Sequence, residues 1–194
     1  MRGEVNEINE QLWGAGATLA AYFLHAGPEG GQHLVADRPD VVELGSGTGI
    51  TGLACACAGA GSMVLTDLQQ GLARLEEAIE ANAKPLEKAG AEVTAAALPW
   101  GDLDLIHEIC PEGCDLIIGA DLLYNPDNFD ALLATLYELS QVSMKSIVLK
   151  TRPGNQSNTA EILHGADEHN AQASKLLMSE FGKLVCFGLN LALF

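Results

Sequence analysis

Residues 41–52 constrain this chain more than any other stretch: Val41-Val42-Glu43-Leu44-Gly45-Ser46-Gly47-Thr48-Gly49-Ile50-Thr51-Gly52. A short apolar, β-branched run is followed at once by glycines at alternate positions. Glycine reaches backbone conformations that other residues avoid, and it lets another molecule touch the main chain. A strand that turns on such residues into a helix offers a ligand the helix's first N–H groups and the positive end of its dipole.

The rest of the chain repeats this strand-then-helix alternation. Apolar runs at 41–44, 62–66, 92–98, 115–120 and 146–150 predict strands; the run at 115–120 is apolar almost throughout, as a central parallel strand is. Residues 50–59, 69–88 and 128–141 predict helices. In 69–88, Leu72, Leu75, Ile79 and Leu86 are spaced for one face, and Pro85 is expected to end or kink the helix. A last helix is expected over 171–181 and a terminal strand over 184–194. This pattern predicts an α/β fold with a doubly wound, mostly parallel sheet of about six or seven strands. Such sheets bind ligands beyond the carboxyl ends of their strands. The positions to interrogate are therefore Gly45 onward, Asp67, Trp100 and Asp121.

Two ligand readings of the glycine loop compete with a plain structural turn. Gly47-x-Gly49-x-x-Gly52 fits the dinucleotide pattern. Glu43-x-Gly45-x-Gly47-x-Gly49 fits the S-adenosylmethionine pattern. The acid before the loop favours the second, because it suits a cationic amino-acid tail and opposes a pyrophosphate. Asp67 closes the second strand and can accept hydrogen bonds from both hydroxyls of a ribose. Both nucleoside readings ask for that acid, and the residue can also cap the next helix.

Trp100, in Leu98-Pro99-Trp100-Gly101, stands on the ligand edge and can cover a base; Trp13 precedes the first strand. Each, taken alone, reads more simply as a packing residue. The fourth strand meets Asp121-Leu122-Leu123-Tyr124-Asn125-Pro126. An Asp with a Tyr three residues on can hold an amine, the carboxylate accepting its N–H and the ring packing on its stem or cationic head. The bland alternative is a helix-capping Asp and a core Tyr.

Together these residues resemble the class I, seven-strand S-adenosylmethionine-dependent methyltransferases with their Rossmann-like fold. More narrowly, they resemble the non-SET protein-lysine methyltransferases, a group with members acting on the valosin-containing ATPase and on heat-shock chaperones. The resemblance runs over residues 12–150. It rests on Trp13, Val-Glu-Leu-Gly-Ser-Gly-Thr-Gly at 42–49, Leu-Thr-Asp at 65–67, Trp100-Gly101, and Ile-Gly-Ala-Asp-Leu-Leu-Tyr at 118–124. The Asp121-x-x-Tyr124 form differs from the Asn-Pro-Pro-Tyr form of the glutamine and nucleic-acid adenine methylators.

The resemblance implies a donor, S-adenosyl-L-methionine, leaving as S-adenosyl-L-homocysteine. Gly45, Ser46, Gly47 and Gly49 would cradle its methionine part with Glu43 near. Asp67 would bind the ribose and Trp100 would flank the adenine. Trp13 and Ala120 would complete the pocket, and Asp121 and Tyr124 would border the target amine. The implied activity is methyl transfer to a lysine of a protein substrate, with a chaperone-like protein among the candidates. The alternatives are an arginine, a small amine, or a donor-binding protein acting by association. The implied organisation is one domain over 1–194, monomeric, with a donor-binding core at 12–150 and a sheet-completing segment at 151–194. The family's sheet closes with an antiparallel hairpin, for which 184–194 leaves room only in shortened form.

Composition bounds the partners. Ten Lys+Arg against 26 Asp+Glu give a net charge of −16, which opposes nucleic acid and anionic membrane surfaces. Residues 89–144 hold no Lys or Arg, against acids at Glu92, Asp102, Asp104, Glu108, Glu112, Asp115, Asp121, Asp127, Asp130 and Glu138. That imbalance around the expected active face suits a basic peptide. An apolar share of 48% suffices for a core. No apolar run is long enough for a membrane span, and the first residues show no signal-peptide pattern. Five cysteines, with no second pair to match Cys110 and Cys114 at zinc-site spacing, predict reduced thiols and no metal. His164 and His169 read as loop and helix start. The expected compartment is the cytoplasm, with the nucleus as the second choice.

Overall fold

The computed structural model describes residues 14–141, 146–150 and 161–164. Among the described residues six strands form one sheet: β1 (Asp40–Leu44), β2 (Ser62–Asp67), β3 (Glu92–Ala97), β4 (Leu116–Ala120), β5 (Ser146–Lys150) and β6 (Glu161–His164). Their order is β3-β2-β1-β4-β5-β6. The first five run parallel, and β6 pairs antiparallel with β5, Ser146 opposite His164 and Leu149 opposite Glu161. The helices are α1 (Gly14–Leu24), α2 (Ile50–Ala58), α3 (Leu72–Ala81), α4 (Ala83–Ala89), α5 (Leu103–Ile109) and α6 (Phe129–Gln141).

Side-chain alternation along the central strands divides the core in two. Val41, Met63, Leu65, Leu116 and Ile118 pack with Leu19 and Phe23 of α1, Leu53 of α2, Leu75 of α3 and Leu86 of α4. Val42, Leu44 and Ile117 pack with Ile106 of α5 and with Leu132, Leu136 and Leu139 of α6. The sheet is thus covered on both faces, which is why β1 and β4 are buried almost end to end. The strand order turns back between β1 and β4, where Leu44 stands opposite Gly119. That reversal opens a crevice at the carboxyl ends of both strands.

The structure departs from the sequence-based expectations in four places. Residues 69–88 are a 3₁₀ turn and two helices, broken at Asn82 rather than at Pro85. Asn82 turns aside at φ −107° and its amide side chain bonds the Ala78 carbonyl, so Pro85 falls in the first turn of α4. A missing N–H costs nothing there. Helix α1 carried no amphipathic signal because Gly14, Ala15 and Gly16 dominate its start. It forms because Leu19, Ala20 and Phe23 are buried in the completed core. Helix α5 is seven residues long, too short for periodicity to reveal, and is capped by Asp102, which accepts from the Leu105 N–H. The antiparallel strand is Glu161–His164, upstream of the segment in which a hairpin was sought, and His164 belongs to it. The expected helix at 171–181, the strand at 184–194 and Trp13 lie outside the described residues.

Leu65 is fully buried at the centre of the sheet and lies beneath both Gly49 and Gly52. Leu65→Ala should cost about 2–5 kcal/mol, read as a lower denaturation midpoint in urea with little change in slope. A loss under about 1 kcal/mol would mean that the loop and sheet are not packed as described.

Candidate functional site

The crevice is a cavity of about 500 Å³, within the range of small-molecule sites. One wall is the turn after β1. Gly45, Gly47 and Gly49 have φ of 59°, 55° and 76°, the left-handed region that favours glycine. A Cβ at Gly45 would come within 3.0 Å of Leu122 and 3.4 Å of Trp100, whereas one at Gly47 would meet nothing within 4 Å. The loop is therefore pressed against the protein at Gly45 and open to the cavity at Gly47. It delivers the chain into α2 with no side-chain cap at Gly49.

Asp67, at the end of β2, holds this loop. Its carboxylate accepts from the Gly47 N–H and from the Leu68 N–H, both at 2.7 Å. Burial raises its pKa; the two N–H groups and Arg74 oppose that shift. Glu43 lies behind the loop, 2% exposed, and accepts from the Gly52 N–H of α2 at 3.1 Å. It stands in for the missing helix cap. Burial pushes its carboxyl up to about 8, against the pull of Ser46, Gly52 and Thr51. The β1–β2 edge is also stitched by Thr66, whose hydroxyl donates to the Glu43 carbonyl at 2.6 Å, and by Ser46, whose N–H donates to the Thr66 carbonyl at 2.8 Å.

The opposite wall begins where β4 ends. Asp121 has φ 61°, an uncommon conformation for a residue with a side chain and one that Asp tolerates better than most. The turn sends Leu122 into the core beneath Gly45 and returns Tyr124 over the cavity mouth. Tyr124 is half-exposed, its ring centroid 6.4 Å from that of Trp100. Burial raises the Tyr124 pKa, with a smaller push from the Asp67 charge.

Of the residues singled out in the sequence, Gly45, Gly47, Asp67, Trp100, Ala120, Asp121 and Tyr124 all line the cavity. Ser46 and Gly49 form the loop without lining it, and Glu43 supports it from behind. The lining also includes Leu68, Leu98 and Pro99, legible as residues next to strand ends, and Leu122, the inward residue after Asp121. Asn128 and Ala131 line it too. They come from the start of the helical segment before β5, and nothing in the sequence announced them.

The donor set suits a nucleoside joined to a cationic amino acid. An acceptor-only carboxylate stands beside an open glycine turn, and Leu68, Leu98 and Trp100 supply apolar and aromatic walls. A pyrophosphate would have to sit close to Asp67. Among the described residues no group of three or more His, Cys, Asp or Glu could hold a metal.

A doubly wound sheet with this glycine turn, acid and switch-point cavity defines a nucleoside-binding, Rossmann-like protein of the class I methyltransferase kind. A SAM-dependent methyltransferase from Neisseria gonorrhoeae shares the fold, with a TM-score of 0.51 and 14% identity over 80% of this chain and 63% of that one. Residues 2–164 match the model of the lysine methyltransferase family, and the chain belongs to that family. It is 33% identical over 132 residues to the EEF1A lysine methyltransferase 3 of Mus musculus, covering 68% of this chain and 51% of that protein. It is 39% identical over 101 residues to the protein N-lysine methyltransferase METTL21A of Danio rerio, covering 52% of this chain and 44% of that protein. The chain thus spans about half the length of the curated relatives it matches.

The Glu43 carboxyl gives a pH test. Its pKa is raised on folding, from 4.5 to about 8, so the fold loses stability as pH rises through that window, by about 1.4 kcal/mol per unit at most. Glu43→Gln keeps an acceptor for Gly52 and removes the titration. Its stability relative to the parent should grow from pH 4.5 to pH 8, by up to about 5 kcal/mol, and level off above. A pH-independent difference in urea midpoints would put this carboxyl in its ordinary range.

Proposed function

We propose that this chain transfers a methyl group from S-adenosyl-L-methionine to a lysine side chain of a protein substrate. The observation that carries the reading is the facing of two walls across one cavity. The Gly45–Gly47 turn and Asp67 stand on one side, Asp121 and Tyr124 on the other. Membership of the lysine methyltransferase family supports the same reading.

When bound, the donor supplies a methyl group already activated on a sulfonium, and S-adenosyl-L-homocysteine remains. The protein's work is then position and electrostatics. In this reading Asp67 accepts from the ribose hydroxyls and Leu68 and Trp100 enclose the base. The open turn at Gly47 receives the amino-acid part, with the buried Glu43 carboxyl bracing the loop from behind. Ala120 completes the pocket, and the family resemblance assigns Trp13 to it as well. Asp121 accepts from the target amine and orients it, and Tyr124 packs on the alkyl stem. The amine must reach the site without its extra proton, and solvent suffices to take that proton, so no general base is assigned.

The substrate-facing residues are acidic. Asp127 and Asp130 are exposed just beyond Tyr124, and Asp102 and Asp104 just beyond Trp100. Such a rim favours a lysine-bearing basic segment and should make capture weaken with salt. A chaperone-like protein is one candidate substrate, and the chain acts as a monomer in the cytoplasm or nucleus.

Labelled donor incubated with the chain and a cell lysate should mark a protein band whose label maps to a lysine. Label confined to small molecules or mapped to arginine would redirect the substrate, and donor binding with no transfer would favour a binding protein. Asp121→Asn should abolish transfer while donor affinity stays within about twofold; affinity lost together with activity would move Asp121 to the donor side. Asp67→Ala should weaken donor binding by at least about tenfold, a loss of about 1.4 kcal/mol. Unchanged affinity by calorimetry would remove the ribose assignment.

A further inference from the structure

Thr135 lies in the middle of α6, on the apolar face that carries Leu132, Leu136 and Leu139, and it is fully buried. A hydroxyl in such a place costs desolvation unless it is bonded. Its hydroxyl donates to the Ala131 carbonyl one turn back, at 3.0 Å. That bond alone would satisfy the proton and is a common local habit of threonine in helices. The oxygen does something further: it accepts from the Gly101 N–H at 2.8 Å, across 34 positions of sequence.

Gly101 follows Trp100 directly and has φ 88°, and a Cβ there would stand 3.3 Å from the Ala131 Cβ. The loop backbone at Gly101 therefore packs directly on Ala131 of α6. Its other end is fixed as well, since the Leu98 N–H donates to the Asp67 carbonyl at 2.8 Å. Pro99 and Trp100 span the gap between these two anchors. The Trp100 ring meets Gly45 on one side and Tyr124 on the other.

We propose that Thr135 is a positioning residue for this cavity: from α6 it holds the Gly101 amide, and through it the Trp100 indole, against the glycine loop. Asn128 and Ala131 of the same helical segment line the cavity, so the bond locks the base-covering loop to the helix that follows Asp121 and Tyr124. Thr135 touches neither donor nor substrate. The proposal about Trp100 stands on geometry; only its consequence for donor affinity rests on the function proposed above.

The test uses Thr135→Val, which keeps the shape and removes the hydroxyl, beside Thr135→Ser, which keeps it. For the fluorescence readout alone, a Trp13→Phe background makes Trp100 the sole indole; affinities are read with Trp13 in place. Acrylamide should then quench Trp100 emission about twofold more efficiently in the valine variant, and unchanged in the serine variant. The affinity for S-adenosyl-L-homocysteine should fall about five- to tenfold with valine and stay within about twofold with serine. Parent-like quenching and affinity in a folded valine variant would overturn the proposal, as would serine behaving like valine. Altered quenching in a chain whose parent binds no donor would uphold the positioning and overturn the donor site. If valine prevents folding, hydrogen exchange of the unsubstituted protein decides. A Gly101 amide as protected as those of α6 supports the bond, and one exchanging like an open loop overturns it.

Discussion

Three left-handed backbone turns, at Gly45, Gly47 and Gly49, are the constraint on which the rest of the site depends. The chain leaves the centre of the sheet at Leu44 and must begin a helix at Ile50. A side chain at Gly45 would run into Leu122 and Trp100, and one at Gly49 into Leu75 and Leu65. Two acidic side chains then hold the turn from opposite sides. Asp67 takes the Gly47 N–H at the cavity, and Glu43 takes the Gly52 N–H behind it. The loop is in this way set before any ligand arrives, and a preorganised site loses less on binding.

The second wall answers the first because β4 lies beside β1. Asp121 accepts an unfavourable backbone angle, and the burial of Leu122 against the loop offsets it. Tyr124 and Trp100 then close the mouth from neighbouring connections, Trp100 held by its own loop's tie to α6. The acidic rim follows from the same arrangement, since Asp102 and Asp104 start α5 while Asp127 and Asp130 flank the start of α6, all exposed. Charge that is scattered along the sequence becomes local at one edge of the sheet.

Much of this was legible in the order of residues. Strand, glycine turn, helix, strand and Asp67 form a local program: apolar alternation marks the strands, and the turn needs glycine for steric reasons that no distant contact alters. Asp121 and Tyr124 were legible because they follow the fourth strand, and parallel sheets place such residues on one edge. What could not be read depended on packing. Helix α1 has too many small residues to declare itself and is helical because α2 and the sheet bury Leu19 and Phe23. The break at Asn82, three residues before the proline that seemed to demand it, depends on a local bond from the Asn82 side chain to Ala78. Asn128, Ala131 and Thr135 gained their roles only when α6 docked beside the loop of Trp100. By itself the sequence determined the fold class, the glycine turn and the acids at the strand ends, because these follow from short-range sterics and periodicity. Only the tertiary structure decided that Glu43 braces the loop from behind while Asp67 faces the cavity, because that depends on which side of the sheet each carboxylate meets its N–H partner.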